Sequence, residues 1–199
     1  FVPNFRDAVA VTKPYKGTRK NDKPFHFYNL TEYMIAMYDV IISESLEADD
    51  MMCIHQTEDT IICSRDKDLK MCPGWHYTWE CGKQPSRGPE KADDDNLGFL
   101  EKIDDKVVGL GLKFFYYQML AGDTTDNIPG CPKIGKVKAY KLLEDLDDEK
   151  SMYDKVKEVY KEAGKDKVYM KEQADLLWMI TEEEDGVPVL FSPKRRNLV

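Results

Sequence analysis

The 199-residue sequence lacks the long apolar runs of membrane proteins and the cysteine spacing of zinc or disulfide frameworks. No apolar stretch approaches the ~20 residues that a membrane-spanning helix needs. The five cysteines are an odd number without CxxC spacing, which favours reduced thiols over a disulfide framework. Cys72, His76 and Cys81 lack an evident fourth zinc ligand. We therefore expect a cytoplasmic protein without a membrane partner.

The sequence also lacks the basic excess expected of a nucleic-acid-binding protein. It has 29 Lys and Arg against 37 Asp and Glu, a net charge of −8. Seven of the acidic residues fall in three short clusters; without these seven, 30 of the 37 acidic residues remain, and the charge is nearly balanced. The clusters are Glu47, Asp49 and Asp50; Asp66 and Asp68; and Asp123 and Asp126.

Each acidic cluster stands at a predicted end of an element. Glu47 and Asp50 precede the apolar run 51–54, so a helix beginning there would place both carboxylates on one face. Asp66 and Asp68 follow the β-branched run 60–63, which predicts a buried strand whose carboxyl end carries them. Asp123 and Asp126 begin a turn after the apolar stretch 107–121. The three clusters can therefore converge at one site.

Converging carboxylates need positive charge, because like charges raise each other's pKa values and destabilise the fold. Oxygen ligands without His or Cys favour Mg²⁺ or Mn²⁺ over zinc. Two such ions can stabilise the attacking and leaving oxygens of a phosphodiester. A single acidic cluster is more typical of a helix cap. Three clusters in this order favour a metal site and hydrolysis of a nucleic-acid backbone.

Two basic segments accompany the acidic clusters. The stretch 128–143 has a proline–glycine turn, then Gly135, where the chain turns tightly or approaches something closely, then a predicted helix. Such hairpins bind phosphates without reading sequence, although a lysine-rich surface helix that is merely solvated is the alternative. The stretch 13–23 precedes a helical pattern over 27–37 and could bind phosphates or stack a base on Tyr15. The predicted DNA-binding residues are Lys13, Lys20, Lys133, Gly135, Lys136 and Lys138.

The motifs together resemble the structure-specific 5′ nucleases, a group of phage 5′→3′ exonucleases, flap endonucleases and the 5′-nuclease domain of bacterial DNA polymerase I. The resemblance is greatest to the phage enzymes and covers roughly residues 5–143. It rests on the order and spacing of Tyr15-Lys16-Gly17-Thr18-Arg19, the three acidic clusters and the hairpin.

The resemblance implies an α/β fold with a PIN-like, mostly parallel sheet flanked by helices, a helical arch and a C-terminal helix–hairpin–helix. We expect a catalytic core over 1–121, with the arch at 13–37, and a DNA-binding region with bracing helices over 122–199. Predicted strands are 38–43, 60–63 and 75–79, with 8–11 as a possible fourth, and 83–95 reads as a loop. Helical patterns cover 150–163 and 167–181, and 188–199 reads as a loose or strand-forming tail.

The resemblance also implies roles for individual residues. One Mg²⁺ would be held by Glu47, Asp49, Asp50, Asp66 and Asp68, and a second by Asp123 and Asp126, with Mn²⁺ as a substitute. Tyr15, Lys16 and Arg19 match the foot of the arch, where Lys16 and Arg19 approach the scissile phosphate. Carbonyl groups of the hairpin would bind K⁺. The implied substrate is DNA with a 5′ flap, a nick or a free 5′ end, and RNA in RNA–DNA hybrids. A monomer acting in DNA replication, in a bacterium or phage-infected cell, is expected.

Two strands bearing acidic residues precede the Tyr15 element in the resembling family, and we do not find them in this sequence. We therefore expect a fragment, weakly active or inactive alone, that is completed by an upstream segment of the same enzyme. Two alternatives stay open. One is a catalytically inert DNA-binding module that uses only the hairpin. The other is a PIN-type ribonuclease, which shares an acidic α/β site but normally lacks the arch and the helix–hairpin–helix.

Overall fold

The computed structural model describes residues 4–19, 22–92, 95–104 and 106–199. These ranges contain seven α-helices, one 3₁₀ helix and seven short strands. In chain order they are α1 (Phe5–Val9), α2 (Phe27–Met37), α3 (Ala48–Ile54), β1 (Ile61–Cys63), the 3₁₀ helix (Asp68–Met71), β2 (Gly74–Thr78), β3 (Arg87–Ala92), β4 (Phe99–Ile103), β5 (Lys106–Leu110), α4 (Gly111–Ala121), α5 (Lys136–Leu143), α6 (Glu149–Glu162), α7 (Lys167–Leu177), β6 (Glu183–Glu184) and β7 (Val187–Pro188).

The strands form three small sheets. In the first, β1 pairs parallel with β2, and β2 pairs antiparallel with β3; β4–β5 and β6–β7 are antiparallel pairs. Mixed helices and strands are therefore confirmed. The PIN-like, mostly parallel sheet is not confirmed, because β1–β2 is the single parallel pair among the described residues.

Several local predictions were confirmed and others were wrong. β1 and β2 confirm the strands at 60–63 and 75–79, whereas the predicted loop 83–95 contains β3, which pairs with β2. The predicted strand 8–11 is wrong because α1 occupies this region, with its first turn capped by Asn4, whose Oδ1 accepts a hydrogen bond from the Arg6 N–H at 3.0 Å. The predicted strand 38–43 is also wrong: no described strand lies beside it, and Ile41 and Ile42 are exposed. A strand needs a hydrogen-bonded neighbour, which β-branched composition alone cannot supply.

The core is centred on α4. Ten of its eleven residues are buried, and it packs against α5, α6 and α7 on the helical side and against β4, β5 and the 3₁₀ helix on the other. Where α5 and α6 pack on α4, three of their side chains are fully buried: Leu143, Met152 and Val156. A helix that is apolar all round is buried on all sides, as the sequence of α4 requires. The bracing helices at 150–163 and 167–181 are confirmed as α6 and α7, which end at Glu162 and Leu177.

The helical pattern over 27–37 is confirmed by α2, none of whose residues is buried. The C-terminal segment is not loose: Phe191 and Leu198 are buried, and Arg196 pairs with Glu149 on α6. No helix in the described part of the chain is both long and apolar enough to cross a membrane.

One cysteine pair contradicts the prediction of reduced thiols. Cys53 on α3 and Cys72, directly after the 3₁₀ helix, form a disulfide with their Cα atoms 5.9 Å apart. Cys63, Cys81 and Cys131 are free. The pairing joins residues 19 positions apart without a CxxC motif, so sequence spacing carries no signal for it.

Candidate active site

A cavity of about 100 Å³ collects most of the predicted site residues. Its walls include side chains from the turn at 15–19, the start of α3, the turn after β1, the start of the 3₁₀ helix and the turn after α4. Six of the seven predicted carboxylates and all three predicted catalytic residues line it: Tyr15, Lys16, Arg19, Glu47, Asp49, Asp66, Asp68, Asp123 and Asp126.

Asp50 is the carboxylate that the structure places elsewhere. Both of its oxygens accept hydrogen bonds from Arg6, at 2.6 and 2.8 Å, and both side chains are fully buried. Asp50 also accepts a hydrogen bond from the Ile180 N–H at 3.0 Å. A buried carboxylate paired in this way is neutralised where it stands, so Asp50 leaves the candidate ligand set. It caps α3 together with Glu47 instead.

Arg6 is a residue that the sequence reasoning missed. Besides Asp50, its guanidinium donates hydrogen bonds to the carbonyls of Leu176 at 3.2 Å and Trp178 at 2.8 Å. It therefore ties the acidic start of α3 to the end of α7. A single arginine on a five-residue helix has no sequence pattern that distinguishes it from a surface residue, and its partners lie up to 172 positions away.

Glu47 and Asp126 meet the cationic turn 15–19. Lys16 pairs with Glu47 and lies 3.9 Å from Asp126, and Arg19 pairs with Asp126 at 2.6 Å. The Tyr15 hydroxyl lies 2.9 Å from Glu47 and 3.1 Å from Asp126. Burial raises the pKa of Tyr15 well above its ordinary value, and Glu47 and Asp126 add to this. The hydroxyl therefore stays protonated and can donate to either carboxylate.

The turn 15–19 is anchored by its backbone. The Lys16 backbone N–H donates to the carbonyl of Asp126 at 2.9 Å, and the side-chain amide of Asn127 donates to the carbonyl of Pro14 at 2.8 Å. Lys16 adopts a positive φ of 52°, unusual for a residue with a side chain. These contacts fix the turn against the segment that carries Asp123 and Asp126.

Asp68 and Asp123 share a single ammonium group. Lys67 Nζ lies 2.7 Å from Asp68 and 2.5 Å from Asp123. Although burial opposes it, hydrogen bonds from Lys67 and from the Thr125 N–H lower the pKa of Asp123. Burial raises the pKa of Asp68 in spite of Lys67. One positive charge thus fails to neutralise both carboxylates.

Asp49 carries the clearest sign of excess negative charge. Burial raises its pKa to about 6, and the carboxylates of Asp66 and Glu47 add to the shift. The nearby ammonium of Lys16 only partly opposes it. The cavity therefore favours an additional cation.

The chemistry of these side chains fits Mg²⁺ or Mn²⁺, since all the candidate ligands are carboxylate oxygens. The six carboxylates also outnumber the basic side chains that meet them, Lys16, Arg19 and Lys67. The ammonium groups of Lys16 and Lys67 bridge carboxylates from separate elements, as a metal ion would. In the present arrangement four of the six carboxylates, Glu47, Asp68, Asp123 and Asp126, are paired with basic side chains. Accordingly, within 4–19, 22–92, 95–104 and 106–199, no three His, Cys, Asp or Glu residues converge closely enough to hold a metal ion.

The predicted DNA-binding lysines lie outside this cavity. Lys133, Lys136 and Lys138 are exposed around the start of α5, and Gly135 is its N-cap. Lys13 is also exposed, and Lys20 lies outside the described residues. The close backbone approach is at Gly130 (φ 65°), where a Cβ would lie 2.4 Å from the Gly122 nitrogen. A Cβ at Gly135 would meet no atom of the chain within 4 Å, so no contact among described residues requires glycine there.

The C-terminal part of the chain matches the model of a known family. Residues 112–197 match the family model of the 5′-3′ exonuclease, C-terminal SAM fold. The matched region runs from α4 into the C-terminal segment and includes Asp123 and Asp126, whereas the predicted domain boundary falls after α4. Comparisons with curated proteins and with solved structures found no match.

Proposed function

We propose that the protein is a Mg²⁺-dependent nuclease that hydrolyses phosphodiester bonds in DNA, since residues 112–197 match the family model of the 5′-3′ exonuclease, C-terminal SAM fold. Its substrates are 5′ flaps, nicks and free 5′ ends, with RNA of RNA–DNA hybrids as a further substrate. The observation that carries this proposal is the cavity itself. It joins Asp123 and Asp126 of the matched region to acidic and basic side chains from four earlier parts of the chain.

Two metal positions are proposed. Glu47, Asp49, Asp66 and Asp68 would hold one Mg²⁺, and Asp123 and Asp126 would hold the other. Bound Mg²⁺ supplies charge stabilisation for the phosphodiester and an activated water.

The remaining side chains of the cavity position substrate and ligands. Lys16 and Arg19 stand beside the carboxylates and would bind the scissile phosphate in the metal-loaded protein. The Tyr15 hydroxyl orients Glu47 and Asp126.

The start of α5 is the proposed binding surface for duplex DNA. Exposed Lys133, Lys136 and Lys138 neutralise phosphates, with Lys13 contributing from the N-terminal side, and the open backbone at Gly135 lets a phosphate approach. Hairpin carbonyls before α5 are the proposed K⁺ ligands. These contacts carry no sequence information, which suits an enzyme that recognises strand ends.

A catalytically inert DNA-binding module is the second candidate. It is favoured by the pairing of Glu47, Asp123 and Asp126 with basic side chains. Such pairing satisfies the carboxylates without metal.

Cleavage assays separate the two functions. A labelled 5′ flap, a nicked duplex and an RNA–DNA hybrid would be incubated with increasing Mg²⁺ and, separately, with chelator. We expect Mg²⁺-dependent cleavage that Asp123→Asn lowers by about 100-fold or more, because charge stabilisation at the reacting phosphate is lost. DNA affinity should be retained or increased, since the lysines of α5 are untouched.

The control variant for this assay is Asp154→Asn, a change at an exposed aspartate on α6. It should cleave like the unmodified chain. Full cleavage by Asp123→Asn, or cleavage in excess chelator, would contradict the metal-dependent mechanism. DNA binding without any cleavage at any Mg²⁺ concentration would favour the inert module.

A further inference from the structure

Lys67 occupies a position that its sequence neighbours do not explain. It lies between two candidate ligands in sequence, Asp66 and Asp68, and its ammonium group bridges Asp68 and Asp123 at 2.7 and 2.5 Å. These two carboxylates come from different parts of the fold, the start of the 3₁₀ helix and the turn after α4. Its side chain thus links the start of the 3₁₀ helix to the turn after α4.

Lys16, another cation of the cavity, is held more firmly than Lys67. The backbone of Lys16 is bound to Asp126, and its side chain is only 23% exposed. The side chain of Lys67 is 49% exposed, so it can swing into solvent without unpacking the core. Its four-carbon stem and compact ammonium group suit such a movement.

Asp68 and Asp123 each accept a hydrogen bond from a donor other than Lys67. Asp68 accepts a hydrogen bond from the Gln118 amide at 2.7 Å, and Asp123 accepts one from the Thr125 N–H at 2.8 Å. Both donors belong to the segment from α4 to the following turn. The two carboxylates therefore keep their orientation when the ammonium leaves.

We propose that Lys67 is a placeholder cation, which keeps Asp68 and Asp123 together in the metal-free protein and is displaced by a divalent ion during loading. The inference rests on the proposed function, because it assumes that these carboxylates bind metal. Lys67 is in this view a positioning residue. It preserves the cavity against repulsion between carboxylates and weakens divalent binding by competing for the same oxygens.

Because Lys67 and Mg²⁺ would compete for the same carboxylate oxygens, replacing Lys67 should change the Mg²⁺ affinity. This affinity can be measured without a cleavage assay. Mg²⁺ affinity would be measured by titration calorimetry without DNA, on the unmodified chain, Lys67→Met, Lys67→Arg and the control Lys70→Met. Lys70 lies on the 3₁₀ helix that Lys67 precedes, but it pairs with Glu90 at 2.8 Å. Thermal unfolding in chelator and in Mg²⁺ would be recorded for each variant.

Lys67→Met should bind Mg²⁺ about tenfold more tightly, the scale of one lost charge interaction at a half-exposed site. In chelator it should melt at a lower temperature, and Mg²⁺ should raise its melting temperature more than that of the unmodified chain. Lys67→Arg keeps the competing charge and adds a bidentate geometry, so its Mg²⁺ affinity should be equal or lower. Lys70→Met should bind Mg²⁺ like the unmodified chain.

The outcomes separate this inference from the proposed function. If the unmodified chain binds Mg²⁺ and Lys67→Met binds it equally or more weakly, the placeholder role is wrong while the metal site stands. Should Lys67→Met not fold, tighter Mg²⁺ binding by Lys67→Arg than by the unmodified chain would overturn the inference. If no variant binds Mg²⁺, the proposed metal-dependent function fails and the inference fails with it.

Discussion

Asp49 and Asp50 are adjacent in sequence yet lie in opposite environments. Successive residues of a helix point about 100° apart, so the start of α3 directs Asp50 into the core and Asp49 toward the cavity. Arg6 neutralises Asp50 completely, whereas the pKa of Asp49 is raised to about 6. The same residue type therefore stabilises the fold at one position and supplies excess charge at the next.

The raised pKa of Asp49 predicts a pH-dependent cost in the metal-free protein. Its folded pKa of about 6 lies above the ordinary value of 3.8, so the native state binds the proton more tightly than the unfolded chain. The cost begins above pH 3.8 and is complete once the pH exceeds about 6. Asp49→Asn should therefore raise the free energy of unfolding in chelator at pH 7.5 by about 1 kcal/mol, after discounting for solvent screening.

Urea denaturation at pH 7.5 and pH 4.5 measures this effect, with exposed Asp154→Asn as the matched change. The gain from Asp49→Asn should shrink at the lower pH, because the native carboxyl group is then already protonated. A gain that grows as the pH falls would show that another group is responsible.

At the scale of elements, whether a segment is buried depends on the elements that pack beside it and not on its amino-acid composition alone. Residues 38–43 and β1 both contain β-branched pairs, but only β1 finds a parallel neighbour in β2. On α5, Ala139 and Leu143 are the buried residues, whereas Lys136, Val137 and Lys138 are exposed. The first turn of α5 thus presents a largely polar, lysine-rich surface.

This surface of α5 should control DNA affinity without affecting chemistry. We expect Lys136→Ala combined with Lys138→Ala to weaken DNA binding and to lower the salt slope by about 0.9 for each phosphate that is no longer neutralised. The comparison pair is Lys157→Ala with Lys161→Ala, exposed lysines on α6. Affinity would be measured by fluorescence anisotropy at several salt concentrations. Equal losses from both pairs would mean that α5 contributes only general charge.

At the scale of the whole molecule, the disulfide and the Arg6 network hold the acidic elements in place. Cys53–Cys72 joins α3 to the end of the 3₁₀ helix, the two elements that begin with candidate ligands. Arg6 joins α3 to the end of α7. The cavity between these elements depends on both connections.

The disulfide can be tested by counting thiols. Alkylation of the denatured protein followed by mass spectrometry should label three cysteines before reduction and all five after it. Reduction should lower the free energy of unfolding by about 3 kcal/mol, since a short closed loop in the unfolded chain is released. Cys131→Ser serves as the control for loss of a free thiol, and it should keep the response to reduction. Five labelled thiols without reductant would support the sequence-based prediction instead.

Features that depend on near neighbours in the chain could be predicted from local patterns. Periodicity located α2, α5, α6 and α7, and the β-branched and aromatic runs located β1 and β2. The clustered carboxylates and the Tyr15–Arg19 motif were also visible, and the structure brings six of the seven carboxylates to one cavity.

The pairing of these features depends on the folded chain and could not be predicted from local patterns. Arg6 neutralises Asp50, Lys67 bridges Asp68 and Asp123, Cys53 meets Cys72, and β3 forms because β2 lies beside it. The segment 38–43 forms no strand for the converse reason. Each outcome depends on a partner distant in the chain or on the geometry of packing. Local sequence patterns do not indicate which distant residue will be in contact.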